Sequence, residues 1–524
     1  MILECQFRSQ LRFRGAFLTF AVSFAMTLVC CSGSLQAQVA TYSSGKLAPG
    51  TQWETPWYIT DSLVAGPTVL VVGGIHGNEP AGFRAAEQVR TWPITKGKLV
   101  VIPKANRLGL VANSRWLPAF RNDAKQKDLN RNFQKAKNAT PLTPIAIAIW
   151  EFIAAQKPEW VFDLHEGFDF HCLNPKSVGS SVIAFPDQSD FAKSVLNAVN
   201  KEVKTDRQFD LLDKSGPVNG SLARACRIML GANSFIFETT FKNQAISTRA
   251  RQHRTMVSAA LQKIGMINES CVDRLMAKLP FDKSDQKSIS VGVFDGAGAS
   301  PKKLIAIYDT DEHTTVVHLG PNDMKLEILH QFDVLVFPGG SGSKQATAIG
   351  ATGRKQIRAF SKNGGGVIGI CAGAYLCSSD YSWSLHLVNA KVFNESFDIP
   401  GKGRKSMWYR GGAADVDVEV LGSAKEVLGD KGTYSIRYQN GPIFAPDDKR
   451  HLPPYRTLAY FRSENGIYDP QKGTMIGAPA VVESRYGKGK VLAMSPHFES
   501  TQGQTAVIIK ATQYVTQGSN SLEE

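Results

Sequence analysis

Two α/β domains in tandem are the architecture this sequence predicts, and three observations carry that expectation. At 524 residues the chain exceeds what one ordinary core organises, so two or three domains are expected. With 43% hydrophobic and 20% charged residues, its composition is that of a globular protein and not of a disordered or collagen-like one. Near-continuous apolar runs of strand length alternate with helical patterns in two separate stretches, as strands buried on both faces and divided by helices do.

The amino-terminal forty residues stand apart. Arg8, Arg12 and Arg14 precede an apolar run from Ala16 to Val29, then small residues and LQAQVA, the order of a secretory signal with cleavage after Ala37. A retained amino-terminal anchor is one alternative, and a lipid on Cys30 or Cys31 a weaker one, because Val29 and Cys30 are poor residues to precede a lipidated Cys. No later stretch approaches the roughly eighteen apolar residues of a membrane span. The expected location is therefore exported, periplasmic or secreted. Loss of residues 1–37 removes three Arg and one Glu and takes the formal charge from +14 to +12. The remaining Lys and Arg are scattered without a block, so a solvated basic surface is favoured over a nucleic-acid site. Five cysteines stay in the mature chain, Cys172, Cys226, Cys271, Cys371 and Cys377, and an odd number leaves at least one thiol unpaired.

The first α/β domain is placed at residues 50–265. PTVLVV, KLVVIP, EWVFDL and SFIFE read as buried strands. TPIAIAIWEFI reads as a helix with a Thr cap, Pro at its first position, and Ile145, Ile149 and Phe152 on one face. Val257, Ala260, Leu261 and Ile264 mark a last amphipathic helix. Residues 266–287 are assigned as a linker, since PFDKSDQKS is polar, charged and without periodicity. The second domain, 288–515, carries SISVGVFDG, DVLVFPGGSG, GGGVIGICAGAYL and KVLAMSPHFES as strands running into polar turns.

In VVGGIHGNEPAG, Gly73 and Gly74 turn the chain at a strand end and Pro80 opens a helix carrying Phe83, Ala86 and Val89. His76 and Glu79 thus fall in a strand-to-helix loop at a carboxyl sheet edge, where open α/β sheets build their sites. WVFDLHEG brings His165 to the same edge. Two His and one Glu that leave a fourth position open form a catalytic zinc set, in which the ion acidifies a water and polarises a carbonyl. Glu238, ending SFIFETT, is the candidate base. Arg131 of KDLNRNF is suited to binding a substrate carboxylate or an oxyanion, with Asn130 as a neutral donor and Arg115 as a further cation.

HGNE, DLNRNF, DLHEG and FETT in this order resemble the zinc carboxypeptidase superfamily, in particular its succinylglutamate desuccinylase and aspartoacylase branch, over roughly residues 50–265. The resemblance implies one Zn2+ held by His76, Glu79 and His165, with Glu238 as general base and Asn130 and Arg131 as carboxylate binders; Arg115 corresponds more loosely. No Tyr occurs between His165 and Glu238, where carboxypeptidases place a substrate-capping Tyr, and this favours hydrolysis of a different acyl substrate. No small β-domain of the kind that narrows the aspartoacylase pocket is evident directly after Leu261.

GVIGICAGAYL contains G-x-C-x-G, the Cys counterpart of the nucleophile elbow, which places Cys371 on a strained turn near a helix N-terminus. SPHFES offers His497 as base and Glu499 as its orienter, and the backbone N–H groups of Gly339 and Gly340 are candidates for an oxyanion hole. This half resembles the class I glutamine amidotransferase fold, which is flavodoxin-like, and most of all the domain at the amino terminus of biotin-protein ligases. Phe498 replaces the Pro usual between His and Glu, which puts glutamine in doubt as a substrate. The run GKGRKS, 401–406, is read as a solvated turn.

The expected function is an exported zinc hydrolase that cleaves an amide or N-acyl bond in a carboxylate-bearing small molecule or peptide. Two alternatives stand beside it: a non-catalytic scaffold for peptide or cell-wall ligands, and a thiol amidase acting through Cys371. Neither the acyl group nor the oligomeric state is legible at this level.

Overall fold

The computed structural model describes residues 40–268, 272–281, 288–406, 410, 412–466, 468 and 472–517. The expected signal segment, Cys30 and Cys31, Cys271 and linker residues 282–287 lie outside the described residues.

The first domain is built on strands β1 (Thr41–Leu47), β2 (Thr55–Asp61), β3 (Thr68–Gly73), β4 (Lys98–Ile102), β5 (Trp160–Gly167), β6 (Ser181–Ile183), β7 (Asp210–Leu212) and β8 (Asn233–Thr240). They form one sheet in the order β1-β2-β4-β3-β5-β8-β6-β7. Its centre, β4-β3-β5-β8, is parallel, as the apolar runs predict. Alternate residues of those strands feed two cores: Val69, Val71, Phe162 and Phe235 face one side, Leu70, Val72, Val100 and Val161 the other. The helices are α1 (Pro80–Val89), α2 (Arg107–Val111), α3 (Pro144–Gln156), α4 (Ser189–Asn200), α5 (Leu222–Leu230) and α6 (Ile246–Ile264). Thr143 does precede α3, but its hydroxyl makes no capping bond and is buried without a partner. Pro144 supplies the start instead, by fixing φ and by having no N–H to satisfy.

The second domain has strands β9 (Ile289–Phe294), β10 (Thr314–Leu319), β11 (Val334–Phe337), β12 (Gly366–Ile370), β13 (Ala390–Val392), β14 (Ser396–Ile399), β15 (Gly403–Ser406), β16 (Ala414–Val420), β17 (Gly432–Tyr438), β18 (Phe444–Pro446), β19 (Arg456–Phe461), β20 (Pro479–Tyr486) and β21 (Gly489–Met494). The main sheet runs β10-β9-β11-β12-β21-β20-β19-β16-β17. Its first five strands are parallel and have the 2-1-3-4-5 order of flavodoxin-like folds. The antiparallel strands beyond β21 extend that core. Helices α7 (Lys302–Thr310), α8 (Leu326–Leu329), α9 (Gly342–Lys362), α10 (Ala372–Cys377), α11 (Lys425–Leu428) and α12 (Ala506–Thr516) complete it. In GKGRKS, Gly403–Ser406 is a strand paired with β14, with Gly403 and Arg404 exposed.

The described parts of the assigned linker, 266–268 and 272–281, are not a free tether, and Met266 and Ile267 join a core of the first domain. Arg274 is buried, donates to Pro93 O at 2.9 Å and lies over the Trp92 ring. Met276, Ala277 and Leu279 join a core of the second domain, and Ala277 N donates to Asp323 Oδ1 at 2.7 Å. The polarity of PFDKSDQKS concealed this, because the anchoring residues sit just before it. Among the described residues no helix is long and apolar enough to cross a membrane.

Candidate metal centre and a second thiol site

Strands β3, β5 and β8 lie side by side, so their carboxyl ends deliver the predicted residues to one place. Past β3 the chain turns at Gly74, whose φ of 69° is one that L side chains rarely adopt. His76 and Glu79 follow in that turn, while His165 and Glu238 are register partners on β5 and β8. All four are buried, at 3%, 4%, 2% and 6% exposure respectively.

His76 Nδ1 is 2.8 Å from Glu79 Oε1, and its Nε2 is 3.1 Å from Asp128 Oδ1. His165 Nδ1 is 3.0 Å from Glu79 Oε2 and 3.2 Å from His76 Nδ1, while its Nε2 is 3.0 Å from Asp163 Oδ2. Each imidazole therefore turns its Nε2 to an aspartate. In the neutral form a proton on Nε2 leaves the lone pair on Nδ1, and the two Nδ1 atoms face one another beside a carboxylate, so a bound cation would take the place of the extra proton that Asp163 and Glu79 favour on His165. These ligand atoms lie within 4.8 Å of one another. A divalent cation satisfies such a donor set, and two imidazoles with one carboxylate suit zinc. Burial opposes the charge on Glu79, yet His76 and His165 hold its carboxyl well below the usual range. Burial likewise opposes a charge on His165, but Asp163 and Glu79 carry its imidazole well above the ordinary value.

Glu238, the expected base, stands at the same sheet edge. It lines the same cavity as the three ligands, and its Oε2 is buried without a partner. Burial pushes its carboxyl up to about 8 against the pull of His165.

Asn130 and Arg131 also line this cavity of about 890 Å³. Asn130 Oδ1 accepts from Leu222 N at 3.1 Å, which leaves Nδ2 as its free donor. Arg131 donates to Asn130 O at 2.8 Å and has no acidic partner among the described residues. Arg115, expected as a further cation, lines the cavity too and is paired. Its two terminal nitrogens donate to Glu79 Oε1 at 3.1 Å and Asp128 Oδ2 at 3.3 Å, so it braces a ligand and a ligand's support.

Several residues that hold the site went unassigned in the sequence. Asp128 and Asp163 lie inside the motifs KDLNRNF and WVFDLHEG, where a carboxylate near a ligating His was the available signal. Glu166 secures the start of α1. Glu79 precedes α1 but makes no cap bond, and Ala81 N instead donates to Glu166 Oε2 at 2.8 Å. Glu166 N in turn donates to Glu79 Oε2 at 3.1 Å. Arg249 of α6 pairs with the buried Glu166, and His253 of the same helix is 3.1 Å from Thr239 Oγ1, beside Glu238. No local sequence pattern announces those two.

In the second domain Cys371 has φ 51° and ψ −102° between β12 and α10, the strained turn that G-x-C-x-G predicts. Gly373 is required by close approach, since a Cβ there would lie 1.9 Å from Phe337 O. His497 Nδ1 is 2.6 Å from Glu499 Oε1. The ring also interacts with the Cys371 sulfur, which donates to Gln439 O at 3.5 Å. Gly339 adjoins both, because a Cβ on it would be 3.0 Å from His497 Cε1 and 3.7 Å from Cys371 Cβ. Among the described residues, the N–H groups of Gly339 and Gly340 meet no acceptor. Helix α10 has only six residues. Cys172, Cys226, Cys371 and Cys377 are all free thiols.

Fold and site together define a chain of two α/β domains, each with a cluster of polar side chains at the carboxyl ends of its parallel strands. Residues 65–202 match the family model for the succinylglutamate desuccinylase/aspartoacylase catalytic domain. Residues 290–524 match that for the amino-terminal domain of biotin-protein ligase, to which the amidotransferase-like label corresponds only loosely. Both resemblances expected from the motifs are thereby met. No curated protein matches the chain. Among solved structures, the apo cell shape determinant protein Csd4 of Helicobacter pylori is 21% identical, with 43% of this chain and 55% of that one covered and a TM-score of 0.35. An aspartoacylase family protein of Mesorhizobium loti is 19% identical, with coverages of 45% and 71% and a TM-score of 0.33. The product-bound ectoine utilization protein EutE (DoeB) of Ruegeria pomeroyi is 17% identical, with coverages of 45% and 71% and a TM-score of 0.32. The chain thus spans about half the length of Csd4.

Proposed function

We propose that this protein is an exported zinc-dependent hydrolase that cleaves an amide or N-acyl bond in a small molecule or peptide bearing a carboxylate. One observation carries the reading: His76 and His165 each turn Nε2 to an aspartate and converge through Nδ1 on Glu79. A zinc ion held by these three residues would supply the Lewis acidity that activates water and polarises the scissile carbonyl. Glu238 takes the proton from the attacking water and returns it to the leaving nitrogen, a role suited to a carboxyl whose burial raises it toward neutrality. Arg131, with the Asn130 amide beside it, receives the substrate carboxylate. Arg115 fixes Glu79 and Asp128 in place.

Metal analysis of the purified chain, followed by hydrolysis assays with and without a chelator, tests the proposal. Stoichiometric zinc is expected, with activity lost on chelation and retained in Cys371→Ala. Equal loss in Cys371→Ala would transfer the chemistry to the other domain. That second reading, a thiol amidase, is favoured by the strained Cys371 backbone beside a Glu499-oriented His497. Alkylation of Cys371 would then abolish turnover that chelation spares.

A further inference from the structure

The proposed reaction uses only one part of the cavity. Glu79, Glu166 and Glu238, the acids that line it, belong to the metal centre, and Arg131 accounts for a substrate carboxylate. Much of the remaining wall is apolar. Leu211 and Leu212 of the short strand β7 line it and are only half-buried. Phe168, Val178, Val218 and Phe241 also line it and are 49%, 41%, 44% and 42% exposed. Single exposed apolar residues are ordinary, but several gathered on one concave surface mark a surface that is covered in use. Lys176 and Lys214 share the lining and are exposed. Their ammonium groups lose nothing by staying in water, whereas the leucines and phenylalanines gain by leaving it.

We infer that the substrate is an N-acyl amino acid or N-acyl peptide whose acyl group is large and apolar, lying on Leu211, Leu212, Val218 and Phe241 while its carboxylate meets Arg131. This rests on the hydrolase reading and names the substrate class for it. A short anionic acyl group such as succinyl would leave the apolar wall bare. The zinc-loaded full chain carrying Glu238→Gln, which is not expected to turn over, is titrated calorimetrically with N-octanoylglycine and with N-succinylglycine. Octanoylglycine should bind tighter by about tenfold or more, the order expected from covering two or three methylene groups. Phe241→Ser, at an exposed position that leaves folding intact, and Leu211→Ser should each erase most of that preference. Equal or tighter binding of succinylglycine, binding of neither compound, or a preference that both variants retain would each overturn the inference. Turnover by the wild-type chain is scored separately: an octanoyl preference without hydrolysis upholds the binding inference and sinks the hydrolase reading.

Discussion

At the residue scale, two titratable groups are set against their surroundings. Glu238 is buried with one oxygen unpartnered, a cost that only a proton, a water or a nearby cation relieves. If the proposed function holds, Glu238→Gln should reduce hydrolysis by roughly 10²-fold or more, the usual loss on removing a general base, and leave the zinc content found by metal analysis equal to that of wild type. It should also melt no lower than wild type, since it removes a buried carboxyl that burial already raises to about 8. His497 titrates in the opposite sense. Burial opposes its charge, but the Cys371 sulfur and Glu499 outweigh that and raise it from 6.5 to about 10. A raised imidazole stabilises the fold fully below its unfolded value and loses that contribution as pH climbs through about 10. The melting-temperature gap between wild type and His497→Gln should therefore be widest at or below about pH 6.5 and close near pH 10.5. A gap that widens with rising pH would contradict the assignment.

At the element scale, α6 props up the metal centre from behind. Its Arg249 neutralises Glu166, a carboxylate with a fully buried side chain that also caps α1 and orders Glu79. Removing one partner of such a pair leaves a charge buried alone, which costs about 3–5 kcal/mol. Arg249→Leu should show that loss in urea unfolding, and adding Glu166→Gln should recover part of it by removing the stranded charge. The same helix lacks a side-chain cap of its own, and its first turn has no acid. Its start is secured from elsewhere.

At the scale of the whole molecule, that securing group is Asp295, at the end of β9 in the second domain. Asp295 Oδ2 accepts from Ser247 N, in the first turn of α6, at 2.9 Å and is 3.0 Å from His318 Nδ1. Burial opposes its charge, but His318 holds the carboxyl below the usual range. Arg84 of α1 meets Asp309 of α7 at 2.5 Å across the same junction. Ser300 N donates to Gly339 O at 3.0 Å, so one loop following β9 touches both α6 and the turn beside Cys371. Asp295→Ala should cost about 1–2 kcal/mol, as lost helix caps do, and speed amide exchange in the first turn of α6. Asp295→Asn keeps an acceptor and should lose less. Identical exchange in wild type and Asp295→Ala would mean that the domains do not share this cap.

Much of this protein was legible in its residues because the signals are local. Apolar strand runs fixed the parallel centres of both sheets, Pro144 marked a helix start, and G-x-C-x-G announced the strained backbone at Cys371. The outer strands β1, β2, β6 and β7 were missed, being short or half exposed and so without a buried-strand pattern. Motif spacing named His76, Glu79, His165 and Glu238, since each ends or follows an apolar strand. It could not show that β3, β5 and β8 are neighbours, because sheet order arises from long-range pairing that no window of sequence contains. The same limit hid Arg249, His253 and Asp295, which reach the centre from distant segments through buried hydrogen bonds. Sequence alone thus singled out the candidate site residues; tertiary structure alone decided which of them meet, which are braced by Arg115, and what apolar wall surrounds them, because only folding brings charges and surfaces far apart in the chain out of water together.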